Sequence, residues 1–117
     1  MTSEQWEEIQ RVHASATPGP WHWGSDLKHK SIMLRAYRGM GNLIMDFVRW
    51  GMSGAQPRFR DGGIMKKSSE MTKVIPGREH HASWAQQLDH PDAVLIEKCW
   101  EHIGLLIAEV KRLRGEQ

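Results

Sequence analysis

Two short runs in the chain set arginine beside an aromatic ring: Arg49-Trp50 and Arg58-Phe59-Arg60. A guanidinium offers forked donors to phosphate oxygens, and an indole or phenyl face stacks on a base for about 1–3 kcal/mol. Together these are the ingredients of a site for a free nucleotide or a single strand. In Arg78-Glu79-His80-His81, Arg78 and His81 can add donors to the same anion. Arg49, Trp50, Arg58, Phe59, Arg60, Arg78 and His81 are therefore the expected ligand contacts.

Other chemistries find less support. His80 and His81 are adjacent, and on a strand they would point to opposite faces. Cys99 and His102 are three apart and could meet on a helix, but zinc needs three or four ligands, and the chain has no Cys-x-x-Cys or His-Glu-x-x-His run. Cys99 falls on an apolar helical stripe, where a thiol packs as a small hydrophobe. Ser68, Ser69 and Ser83 sit in no nucleophile turn. Gly62-Gly63 precedes Ile64-Met65-Lys66-Lys67 without a Walker pattern. The expectation is a binding protein with no catalytic residue, no metal and no cofactor.

The charge agrees with that choice. Net charge is only +2, yet residues 28–78 carry eleven Lys and Arg against Asp46, Asp61 and Glu70, which is +8. The segments on either side are each −3. A basic centre between acidic ends is an electrostatic footprint for an anion if its charges share a face. The length of 117 residues suits one domain, 1–117. A single cysteine excludes a disulfide within the chain and suits a reducing compartment. No apolar run approaches the roughly 18 residues of a membrane span, and the acidic start, Met1 to Glu8, is unlike a signal peptide.

The elements that must position these residues can be read from spacing. Residues 2–16 form a helix: Thr2 and Ser3 are good caps, and Trp6, Ile9 and Val12 make one apolar edge. Thr17-Pro18-Gly19-Pro20 stops it. Residues 21–50 form an antiparallel meander of Trp21–Trp23, Ile32–Tyr37 and Leu43–Trp50, with a short hairpin at Gly39-Met40-Gly41-Asn42. Residues 51–88 read as an irregular basic segment with short strands, one at Lys73-Val74-Ile75 and a weaker one from His81 to Trp84.

Asp89-His90-Pro91-Asp92 opens a helix over residues 90–114. On it Ile96, Cys99, Trp100, Ile103, Leu106, Ile107, Val110 and Leu113 recur at three- and four-residue spacing. Trp6 and Trp100, on helix stripes, are expected in the core. The fold class is α+β: an N-terminal helix, an antiparallel sheet of three to five strands, and a long C-terminal helix packed on the sheet. The same stripe could instead pair with a second copy, making a homo-oligomer.

At Thr17-Pro18-Gly19-Pro20-Trp21 and His90-Pro91-Asp92-Ala93-Val94-Leu95-Ile96 the chain resembles a group of small accessory proteins of tailed bacteriophages. Trp23-Gly24-Ser25-Asp26-Leu27 is a further echo, whereas Glu97-Lys98-Cys99-Trp100 replaces the group's alanine-rich continuation. The resemblance offers no catalytic residue. It implies a phage product in the host bacterial cytoplasm that counters a defence. With the basic centre, the leading expectation is capture of an anionic nucleotide signal of host immunity. The alternative is a nucleic-acid- or protein-binding inhibitor or regulator, of the anti-CRISPR or transcription-modulating kind, and the third and least favoured is a small enzyme, which would require a bound metal.

Overall fold

The computed structural model describes residues 1–36, 43–49, 54–80 and 86–116. Their order is that of an α+β chain: helix α1 (Ser3–Ser15), strands β1 (Trp21–Asp26), β2 (Ser31–Ala36), β3 (Leu43–Arg49), β4 (Ala55–Asp61), β5 (Ile64–Lys67), β6 (Thr72–Val74) and β7 (Gln86–Leu88), then helix α2 (Pro91–Leu113). Contacts divide the chain into a helical unit, residues 1–16 with 91–117, and a sheet unit, residues 17–90.

In the helical unit α1 starts where the sequence provides a reciprocal cap. The Thr2 hydroxyl accepts from the Gln5 amide at 3.0 Å, and the Gln5 side chain accepts from the Thr2 amide at 2.9 Å. Ile9 and Val12 are buried. Pro91 takes the first position of α2, where its missing N–H costs nothing. The other end closes with Glu116 N–H on the Lys111 carbonyl and Gly115 N–H on that of Arg112, a Schellman pair. Buried His102 on α2 lies 3.4 Å from Glu8 on α1, and Glu109 accepts from the Met1 ammonium at 3.1 Å.

Two expectations for the helices are corrected here. Trp100 is 88% exposed and Trp6 46% exposed, so neither is core. Cys99 is exposed as well. The side of α2 that meets α1 carries His102 and Glu109, and a helix presents to one neighbour only the residues on that side.

The sheet unit is a five-stranded antiparallel meander, β1-β2-β3-β4-β5, with β6 and β7 in a separate two-stranded sheet. The Thr-Pro-Gly-Pro-Trp turn leads into it, and the Trp21 indole N–H donates back to the Thr17 carbonyl at 2.9 Å. Between β1 and β2, Asp26 accepts from the His29 amide at 3.3 Å and pairs with the His29 ring at 2.7 Å, capping one 3-10 turn.

The first three strands match the expected meander, although the hairpin at 39–42, the end of the second strand at Tyr37, and Trp50 lie outside the described residues. The stretch read as irregular with short strands holds β4 to β7 among the described residues, and β6 overlaps the strand expected at Lys73-Val74-Ile75. The signal for β4 and β5 is Asp61-Gly62-Gly63-Ile64, a two-residue hairpin with Asp61 opposite Ile64 and Gly62 at φ +68°. That dihedral is accessible to glycine and strained for most other residues. Pro57 disguised β4. It lies one residue beyond the β5 ladder, and its carbonyl accepts from the Ser68 hydroxyl, so the ladder tolerates it. The weak strand expected from His81 to Trp84 lies outside the described residues; the observed partner of β6 is β7.

The sheet unit's core is a row across the strands: Leu34 opposite Met45, opposite Phe59, with Ile44 and Ala36 beside it, all buried. Between β2 and β3 the register shifts by one residue, so that Leu34 faces Met45 while Arg35 faces Leu43. Ile44 is the extra residue of a β-bulge. This explains why adjacent Ile44 and Met45 are both buried.

Candidate anion-binding face

Strand alternation decides which candidate residues can act together. On β4, Phe59 joins the buried row, so Arg58 and Arg60 project to the other side of the sheet. Directly opposite residues share a face. Asp46 on β3, Arg58 on β4 and Lys67 on β5 therefore form one row across the sheet. Arg35 on β2 belongs to that face too, being one residue on from Leu34. Gly24 on β1 makes room for it: a Cβ there would meet the Arg35 side chain at 3.1 Å and the Met33 sulfur at 3.2 Å. Arg35 thus lies across the β1 backbone. The face carries Arg35 from β2, Arg58 and Arg60 from β4, and Lys67 from β5, with Asp46 of β3 between the first two strands.

The electrostatics of the row are those of a partly compensated cluster. Asp46 grips Arg58 with two parallel hydrogen bonds, from Nε at 2.9 Å and Nη2 at 2.6 Å. These bonds raise the Arg58 pKa above its ordinary value, against the opposing effect of burial, and the Asp46 charge adds to them. The grip fixes the plane of the guanidinium. Arg58 and Lys67 are like charges directly opposite each other, an arrangement that costs stability. Two cations to one carboxylate give the row a net positive charge. Adjacent strands are about 4.8 Å apart, which sets the cations at a spacing that can follow successive phosphate oxygens.

The seven expected contacts separate. Arg58 and Arg60 share the basic face. Phe59, expected as a stacking wall, is 2% exposed, because its neighbours' alternation turns it into the core. There its ring meets His90, with centroids 5.2 Å apart, while His90 Nε2 donates to the Arg60 carbonyl at 2.6 Å. Arg49 lies opposite Ala55 on the other face from Arg58, exposed and without an ion pair among the described residues. Arg78 is half-buried in the turn after β6, where its amide donates to the Ile75 carbonyl at 3.0 Å. Trp50 and His81 lie outside the described residues.

Arg35 and Lys67 were missed as contacts. Both stood in the basic block, but only the pairing of β2 with β3, β3 with β4 and β4 with β5 puts them on one face with Arg58. Lys66 pairs with Asp61 at 3.4 Å and Lys73 with Asp89 at 3.5 Å, away from this row. Among the described residues, no three His, Cys, Asp or Glu side chains gather to hold a metal ion, and no helix is long and apolar enough to cross a membrane. Compared with protein-family models, curated proteins and solved structures, the chain has no significant match.

Proposed function

We propose that this chain is a non-enzymatic binding protein that holds the phosphate backbone of a nucleic acid on the sheet face of Arg35, Arg58, Arg60 and Lys67. The observation that carries the reading is the three-strand row Asp46, Arg58, Lys67, with a carboxylate orienting one cation and a second cation facing it. Among the described residues the face presents cations without the Phe59 ring, which is in the core. Phosphate contacts of this kind position a strand and carry no sequence information. In keeping with the phage resemblance, the protein acts in the host bacterial cytoplasm, occupying nucleic acid that a defence complex or the transcription machinery requires.

A second reading is capture of a nucleotide-sized signal. It is favoured by Arg58 and Lys67 being close enough across one strand pair to share a single phosphate.

Fluorescence anisotropy with labelled single- and double-stranded oligonucleotides at two salt concentrations tests the first reading, alongside titration calorimetry with cyclic oligonucleotides and ADP-ribose derivatives. Backbone binding predicts affinity for an oligonucleotide that falls steeply with added salt. Binding of a cyclic or ADP-ribose ligand alone transfers support to the second reading. Silence across both panels overturns both.

A further inference from the structure

The helical unit exposes a seam that neither reading uses. Along α2, Ile96, Trp100, Ile103, Ile107 and Val110 follow one another at spacings of 4, 3, 4 and 3. That is the a/d repeat of a coiled coil, and it differs from the wider stripe of a helix lying on a core. All five are open to solvent, from Ile96 at 38% to Trp100 at 88%. With half-exposed Trp6 and with Leu113, which is 70% exposed, they leave on the order of 800 Å² of apolar side chain uncovered. This is about what each partner contributes to a standard dimer.

We infer that α2 pairs antiparallel with α2 of a second copy, about a two-fold axis level with residues 104–106, and that Trp100 of each copy enters a cleft on the other. The charges beside the seam choose this direction. In the repeat, Glu97 and Lys111 both occupy the flanking position that follows d, one near each end of the seam. Both are exposed, and neither has an ion-pair partner among the described residues. In antiparallel helices such positions face each other. Glu97 of each copy then meets Lys111 of the other, and both pairs form at once in the register that brings Gly104 against its own copy.

The same register sets Trp100 against Val110 of the second copy. Val110 lines a cleft of about 420 Å³ with Trp6, Leu106 and Leu113, and this cleft receives the indole. A parallel pair would place Glu97 against a copy end without Lys111 and leave that cleft empty.

Sedimentation velocity on the full chain across the micromolar range tests the pairing. The wild type should dimerise. Trp100→Glu should weaken dimerisation at least about tenfold, as expected for a central tryptophan anchor. The side chain is so exposed that far-UV circular dichroism of this variant should match the wild type. Glu97→Lys and Lys111→Glu should each weaken the dimer several-fold, and the double exchange should restore it. A wild type that stays monomeric overturns the inference, as does a dimer indifferent to Trp100→Glu. A charge exchange that fails to restore association overturns the antiparallel register.

Discussion

Phe59 and Trp100 are both aromatic residues set among charges, and the molecule treats them in opposite ways. Phe59, flanked by Arg58 and Arg60, is buried to 2%, whereas Trp100, next to Glu101 and on an apolar stripe, is 88% exposed. The difference lies in the period of the element. On a strand the immediate neighbours of a residue point away from it, so two flanking arginines are what a core residue should have. On a helix the stripe is shared among several faces. The side of α2 facing α1 is marked by His102 and Glu109, leaving Trp100 on an uncovered seam. Sequence adjacency is therefore a poor guide to which groups act together, and pairing across strands is a better one.

The largest effect that tests this contrast is on stability. Phe59→Ala should lower the unfolding free energy by about 3–5 kcal/mol in urea denaturation, as loss of a buried ring requires. If Phe59 were instead a solvent-facing stacking wall, the same substitution would leave stability nearly unchanged.

A smaller effect belongs to the charged row on the other side of β4. Asp46→Ala removes two hydrogen bonds to Arg58 and should cost about 1.5 kcal/mol of stability. It also releases a cation, so oligonucleotide affinity should rise although stability falls. A parallel loss of both would mean that Asp46 serves only to hold the face in shape.

The smallest effect concerns the helical unit. Hydrogen bonds from Arg112, then from the Met1 ammonium, lower the Glu109 pKa from the ordinary 4.5 to about 2. A carboxylate with a depressed folded-state pKa contributes stability above its ordinary pKa, and that contribution is lost as pH falls through the folded value. Trp6 shares the cleft with Glu109, so its fluorescence should hold down to about pH 4.5 and change progressively between there and pH 2. A transition centred near 4.5 would show that Glu109 is unpaired in solution.

Much of the fold was legible in the residues. Caps and proline placed both helices to within a residue or two, and alternation placed β1 to β3. What stayed hidden was nonlocal or disguised. Pro57 and the charges around Phe59 masked β4, although Asp61-Gly62 marks its hairpin plainly. The bulge at Ile44 puts adjacent Ile44 and Met45 in the core together, because a register shift is set by pairing with β2 and leaves no trace in β3 itself. Of the candidate site, Arg58 and Arg60 were expected together on an irregular segment, and it is β4 that puts them on one face. Arg35 and Lys67 could join them only once four strands, β2 to β5, were laid side by side. Arg49 was separated from them by the same alternation that put Phe59 in the core.

The proposed binding face is tested most directly by reversing charge on one side of the sheet and then on the other. Oligonucleotide affinity should be measured for Arg60→Glu with Lys67→Glu, and separately for Arg49→Glu on the opposite face. The basic-face pair should abolish salt-dependent binding, while Arg49→Glu should leave it close to wild type. Equal weakening by both would mean that the protein attracts anions by overall charge alone, and the assigned face would have no special role.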